Sequence, residues 1–213
     1  MIKADHRPTT PTGALVELLA GNRRFVTDTR IHPNQDAQHR AALVEAQRPF
    51  AVVFCCSDSR LAAEIIFDCG LGDLFVVRTA GHILSAEVLA SIEYGVTALG
   101  APLVVVLGHD SCGAIHAASA AMSEREPSAR NLQAIVDSVT PSLRYARTRH
   151  ISDPGGIVNL HVRRTVDMII QQGASTADAV AAGACIVAGM SYRLADGQVV
   201  VTATEPVDVR ESL

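Results

Sequence analysis

Phe50-Ala51-Val52-Val53-Phe54-Cys55-Cys56-Ser57-Asp58-Ser59-Arg60 decides how the rest of this chain is read. Its first six residues are apolar at every position, so neither face of the segment can meet water. A strand buried on both faces belongs in a parallel sheet covered by helices. The run then stops on a thiol, a carboxylate and a guanidinium at alternate positions. Alternate side chains of an extended segment share a face. Cys56, Asp58 and Arg60 are therefore expected to point into one space, while Cys55, of opposite parity, faces a helix as core.

The same pattern continues outward. Strands are expected at residues 50–55, 74–77 and 103–107, alternating with helices at 62–67, 86–99 and from Cys112 onward. Glu126-Pro127 breaks the chain, 131–139 reads as helical, and Pro141 either kinks that helix or begins a new one. Asp153-Pro154 is a cap followed by proline at the first helical position. Val158, Val162, Val166, Ile169 and Ile170 then form an apolar stripe that Gly173 closes. Residues 184–192, the turn Ala195-Asp196-Gly197 and residues 198–204 read as a hairpin. The expected fold class is α/β: a mostly parallel central sheet, about four parallel strands plus an antiparallel edge hairpin strand, flanked by helices.

Ahead of the sheet, Thr10-Pro11 starts a helix carrying Leu15, Leu18, Leu19 and Val26 at helical spacing. Residues 28–35 are polar and aperiodic, and 37–46 reads as a second helix. This N-terminal helical arm, residues 10–49, buries little by itself. Either a neighbouring subunit or its own domain must cover it. No linker or repeat divides the chain, so residues 1–213 are read as a single domain.

Of the 213 residues, 48% are apolar, and the formal net charge is −4. Such a chain folds around a sizeable core. Its charges form no block that would hold nucleic acid or an anionic membrane. No apolar run approaches the ~20 residues of a membrane span, and residues 1–12 lack a signal-peptide core. A cytoplasmic location is the expectation. The five cysteines are Cys55, Cys56, Cys69, Cys112 and Cys185, an odd number with an adjacent pair and a poor disulfide framework. Cys69 and Cys185 read as small buried hydrophobes.

A second polar cluster, His109-Asp110-Ser111-Cys112, follows the strand at 103–107. Both clusters then sit at the C-terminal ends of parallel strands, where open α/β sheets place their sites. Cys56, His109 and Cys112 offer two thiolates and an imidazole, a set suited to zinc and not to magnesium or calcium. Three protein ligands leave a fourth position open, as in a catalytic site. One Zn2+ per chain is expected. Two thiolates cancel the charge of zinc, so the centre needs further positive charge nearby, which Arg60 can supply. Asp58 has two readings, paired with Arg60 or swung onto the metal as a fourth and blocking ligand. A nucleophilic Cys–His pair would leave Cys112 unexplained.

The paired motifs Cys56-Ser57-Asp58-Ser59-Arg60 and Gly108-His109-Asp110-Ser111-Cys112-Gly113 resemble those of the β-class carbonic anhydrases. The resemblance extends through Gly21-Asn22-Arg23-Arg24-Phe25, Phe75-Val76-Val77-Arg78-Thr79-Ala80-Gly81 and Ser91-Ile92-Glu93-Tyr94. It implies a zinc lyase that reversibly hydrates carbon dioxide to bicarbonate and a proton through zinc-bound hydroxide. It implies Cys56, His109 and Cys112 as zinc ligands, Asp58 as a conditional fourth, and Asp58–Arg60 as a gating dyad. Similarity to the plant-like branch implies that Gln47 hydrogen-bonds substrate and that Phe75, Ala80 and Tyr94 wall an apolar pocket. Ala80 stands where a valine can occur, which widens that wall. Gly113 is expected to orient the bound anion through its N–H. The resemblance also implies a homodimer or a dimer of dimers, with some pocket residues reaching across the interface. His82, His116 and Tyr94 are candidate proton relays. Two other readings use the same residues. One is hydrolysis of carbonyl sulfide or carbon disulfide. The other is a non-catalytic zinc or thiol-redox module, with a closed four-ligand site or a Cys56–Cys112 disulfide.

Overall fold

Five strands form one sheet in the order β2-β1-β3-β4-β5 in the computed structural model, which describes residues 7–124 and 132–206. They are β1 (Ala51–Cys56), β2 (Leu74–Thr79), β3 (Leu103–His109), β4 (Ile186–Tyr192) and β5 (Val199–Glu205). β1 pairs in parallel with both β2 and β3, β3 pairs in parallel with β4, and β5 is antiparallel to β4. Four parallel strands and one antiparallel edge strand are the sheet the sequence leads one to expect. Every residue of β1 and β3 is buried, as two-sided apolar strands at the centre of a covered sheet must be. The break expected at Glu126-Pro127 and the start of the helix expected at 131 lie outside the described residues.

The helices are α1 (Pro11–Val26), α2 (Ala37–Ala42), α3 (Ala63–Ile66), α4 (Ala86–Thr97), α5 (Gly113–Glu124), α6 (Gln133–Thr148), α7 (Pro154–Gln172) and α8 (Ala174–Ala181). α7 begins where Asp153 accepts a hydrogen bond from the Gly156 N–H, with proline at the first position. Its apolar stripe, Val158, Val162, Val166 and Ile169, is buried. Three elements differ from expectation. α6 runs unbroken through Pro141. α2 stops at Ala42 and buries no residue. α8 has little apolar periodicity of its own, and follows Gly173 at once. Its first turn is held by Glu93 of α4, whose carboxylate accepts the Ser175 N–H at 2.9 Å.

Of the two expectations for the arm, α1 meets the second and packs on its own chain. Ala14, Leu15 and Leu18 are fully buried. The buried Asn22 amide donates to the carbonyls of Ile66 and Gly197 at 3.2 and 2.8 Å, and accepts the Val199 N–H at 2.9 Å. The hairpin turn is fitted against the same helix. Gly197 has φ +76°, and a Cβ there would lie 2.6 Å from the Phe25 ring.

Asp68 ties the polar stretch after α1 to the domain. Its carboxylate accepts from Arg24 Nε at 2.6 Å and from the N–H groups of Ile31 and His32 at 3.0 Å each. Burial raises the Asp68 pKa, but these donors outweigh it and hold the carboxyl below its usual value. A carboxyl depressed on folding adds stability that is full above the unfolded pKa of ~3.9 and disappears as pH falls through the folded value. Asp68→Ala is therefore expected to cost about 3 kcal/mol at neutral pH. Urea midpoints measure this, and the gap from the wild type should narrow below pH ~4.

Candidate metal centre

Parallel pairing of β1 with β3 brings the ends of both strands to one edge of the sheet. Cys56 is the last residue of β1, His109 the last of β3, and Cys112 immediately precedes α5. Ser111 turns the chain between them with φ +54°. The donor atoms of Cys56, His109 and Cys112 lie within 4.8 Å of one another, and all three residues are buried.

His109 Nδ1 lies 2.7 Å from the Asp110 carbonyl, which can only accept, so Nδ1 carries the proton. The Nε2 lone pair is left facing the two sulfurs, buried and without a hydrogen-bond partner among the described residues. A divalent cation would satisfy it, and the donor set suits a soft ion such as zinc. The sulfurs are poised for one. The Cys56 thiol is lowered, first by the Cys112 thiol beside it and also by the N–H groups of Gly81 and Asp58, against burial. Cys112 is pushed up by the Cys56 thiolate beside it and by burial, although the N–H groups of Ile115 and Ala114 favour its anion. A cation bound there would hold both sulfurs as thiolates. Cys55 and Cys185 are buried core thiols, each pushed up to about 12 by burial. Cys69 is likewise buried and raised.

Asp58 and Arg60 come together by a different route from the one their alternation suggests. β1 ends at Cys56, and the chain then turns. The Asp58 carboxylate accepts the Arg60 N–H at 2.9 Å, and the Asp58 carbonyl accepts the Leu61 N–H at 3.0 Å. An aspartate that bonds to backbone two residues on favours a turn over an extended strand. Arg60 closes a two-point pair on the same carboxylate, Nε to Oδ1 at 2.8 Å and a terminal nitrogen to Oδ2 at 2.6 Å. Arg60 is the chief reason the Asp58 carboxyl sits far below the usual carboxylate range. Asp58 lies outside the three-donor cluster, with Oδ2 3.9 Å from His109 Nε2.

Two supports escaped the sequence reading. Arg78 of β2 donates to the carbonyls of Cys56 and Asp58, at 3.1 and 2.7 Å, and clamps the turn from outside. Its only signal is a lone cation within an apolar strand. The Gly81 N–H, in a 3-10 turn at Ala80–His82, donates to Cys56 Sγ at 3.3 Å.

The expected pocket residues divide. Ala80 and Gly113 line one apolar cavity of about 220 Å3 with Ala114, Ala117, Ile135 and Val136. Phe75 and Tyr94 pack together with ring centroids 6.0 Å apart. Phe75 precedes by four residues Thr79, the partner of Cys56, a separation of about 13 Å along the strand. Tyr94 is 50% exposed, and Gln47 is exposed between α2 and β1. His82 cannot serve as a proton relay to solvent. It is fully buried, and neither ring nitrogen has a hydrogen-bond partner among the described residues. His116 is exposed.

A mostly parallel open sheet with a buried Cys-His-Cys cluster at the ends of adjacent strands defines an α/β protein with a site that could hold a metal ion. Residues 51–199 match the family model described as carbonic anhydrase. The chain belongs to the carbonic anhydrase family, in its β class. A carbonic anhydrase of Mycolicibacterium smegmatis is 49% identical over 89% of this chain and 92% of its own. Carbonic anhydrase 2 of Mycobacterium tuberculosis is 45% identical over 91% and 93%. The Coccomyxa β-carbonic anhydrase shares the fold, with TM-score 0.69 and 23% identity over 88% of this chain and 85% of that one.

Metal analysis is expected to find about one ion per chain. Cys112→Ser should lower retention against a chelator by at least about tenfold, read by equilibrium competition.

Proposed function

We propose that this chain reversibly hydrates carbon dioxide to bicarbonate and a proton at a zinc centre held by Cys56, His109 and Cys112. One observation carries the reading: the Nε2 of His109, buried and unpartnered among the described residues, lies within 4.8 Å of the sulfurs of Cys56 and Cys112. Bound there, zinc would supply the Lewis acidity that activates water toward carbon dioxide. Among the described residues the donor set has three members, not the four that close a structural site, which argues against a non-catalytic module. Nothing among the described residues favours carbonyl sulfide or carbon disulfide over carbon dioxide.

Asp58 and Arg60 form the gate in this reading. With both carboxylate oxygens on Arg60, Asp58 stands beside the centre, ionised, and can accept a hydrogen bond from water there. Without Arg60, the same carboxylate is free to fill the open position and block it. The Gly113 N–H, at the start of α5, orients the anionic product, and the Ala80–Gly113 cavity receives the apolar substrate.

Gln47, Phe75 and Tyr94 complete the pocket of a second copy in this reading. Gln47 and Tyr94 are exposed on their own chain, and Phe75 is half-buried on β2, the open edge of the sheet. The functional unit is then a homodimer or a dimer of dimers. No helix among the described residues is long and apolar enough to cross a membrane. We read residues 1–213 as one cytoplasmic domain with the arm at 10–49, and with neither nucleic acid nor membrane as partner.

Stopped-flow hydration from about pH 6 to 9 tests this. Cys56→Ser should abolish activity and metal together, and full hydration by a zinc-free variant would overturn the assignment. For the gate, Arg60→Gln should lower kcat/KM by about 100-fold. Asp58→Ala in that background should recover part of the loss, because the blocking carboxylate is gone. Equal activity in the single and double variants would remove the gate from the mechanism.

A further inference from the structure

Two buried polar side chains far from the motifs converge on the turn that holds the first sulfur. Gly81, at φ +68°, is the centre of the Ala80–His82 turn, and its N–H donates to Cys56 Sγ. The turn is three residues long and is bridged locally by the Thr79 hydroxyl, which donates to the Ile83 carbonyl at 3.0 Å, while the Gly81 carbonyl is met from outside. His161 of α7 approaches the Gly81 carbonyl with Nε2 at 3.1 Å. Ser142 of α6 places its hydroxyl 2.8 Å from His161 Nδ1. Both residues are 2% exposed.

We propose that His161 and Ser142 are positioning residues of the metal centre, holding the Gly81 turn so that its N–H stays on the Cys56 sulfur. The inference rests on Cys56 as a metal ligand.

The proton positions follow from the acceptors. A carbonyl cannot donate, so His161 Nε2 carries the proton and gives it to Gly81. Nδ1 is then a bare lone pair, and the Ser142 hydroxyl must donate to it. This pattern requires a neutral ring. Burial lowers His161 to about 4, with the Gly81 carbonyl opposing and Arg164 adding to the effect. His82 lies against His161 with ring centroids 4.5 Å apart and fixes the plane of its ring. The Thr165 hydroxyl bonds the His161 carbonyl at 2.9 Å, one turn along α7.

The arrangement is more than packing. An apolar side chain of similar shape would fill the space between α6, α7 and the turn without burying polar groups. What it could not do is orient a carbonyl. On the other side of Gly81, an N–H given to a thiolate draws charge from the sulfur and leaves a bound cation more electron-poor. That matters in a centre whose two thiolates already offset the charge of the ion.

The test uses the full-length protein and three variants, His161→Leu, His161→Gln and Ser142→Ala. Cobalt is substituted for the native metal, and the thiolate-to-cobalt charge-transfer band reports the electron richness of the sulfurs. His161→Leu should move the band to lower energy. It should also speed extraction of zinc by a chelator about 10- to 100-fold and raise the pH midpoint of hydration. His161→Gln, whose amide can donate to Gly81 and accept from Ser142, should restore the band and the extraction rate. Ser142→Ala should shift both partway. It also keeps the test decisive if His161→Leu does not fold, because it removes a single hydroxyl. A folded, metal-loaded variant set with the wild-type band and extraction rate would overturn this inference alone. Wild-type protein that takes up neither cobalt nor zinc would overturn the metal centre, and this inference with it.

Discussion

The parallel pairing of β1 with β3 is the constraint on which the rest depends. Both strands are buried on both faces, so neither can slide without exposing apolar surface or burying a charge. Their register sets Cys55 beside Leu107, and the next residues out carry Cys56 and His109 to one rim. A slip of one residue would turn the Cys56 side chain to the opposite face of the sheet. The metal centre is therefore a property of the sheet, and its precision comes from strand pairing and not from a self-contained loop.

Around that rim, the backbone supplies most of the fixing contacts. The Asp110 carbonyl sets the tautomer of His109. The Gly81 N–H holds Cys56 Sγ, and Arg78 grips the carbonyls of Cys56 and Asp58. Two buried sulfurs and an imidazole are costly to desolvate, and these contacts offset the cost while fixing each donor's direction. Asp58 stands just outside the three donors, held by an arginine whose own side chain is half-exposed. In the proposed gate, this carboxylate is the group that would change partners.

This division also explains how much the sequence revealed. The sheet, its one antiparallel edge and the three donors were legible because local patterns encode them: two-sided apolar runs, and polar clusters where those runs end. Asp58 and Arg60 were rightly paired on the wrong geometry, since the alternation argument assumed a strand where the aspartate makes a turn. Arg78, Gly81, Ser142 and His161 were not legible as site residues. Their contacts join β2, α6 and α7 to the end of β1, and no spacing in the sequence announces them. α8 was missed for a related reason, because a glutamate from α4 holds its first turn.

The charge balance shows where sequence reasoning and structure part. Arg60 was expected to supply the positive charge that a two-thiolate centre lacks. In the structure its guanidinium makes a two-point pair with Asp58 and reaches the Ser111 carbonyl at 3.4 Å, with Cys112 among the groups that favour its charge. Arg78 is placed differently. Its hydrogen bonds go to neutral carbonyls, and it pairs with no carboxylate among the described residues. On β2 it pairs in register with Cys55, whose side chain faces away from Cys56, and its charge acts on that core thiol. The carbonyl contacts fix the turn that carries Cys56 and Asp58. Arg78 is thus a positional support, which a description limited to the ligand motif leaves out.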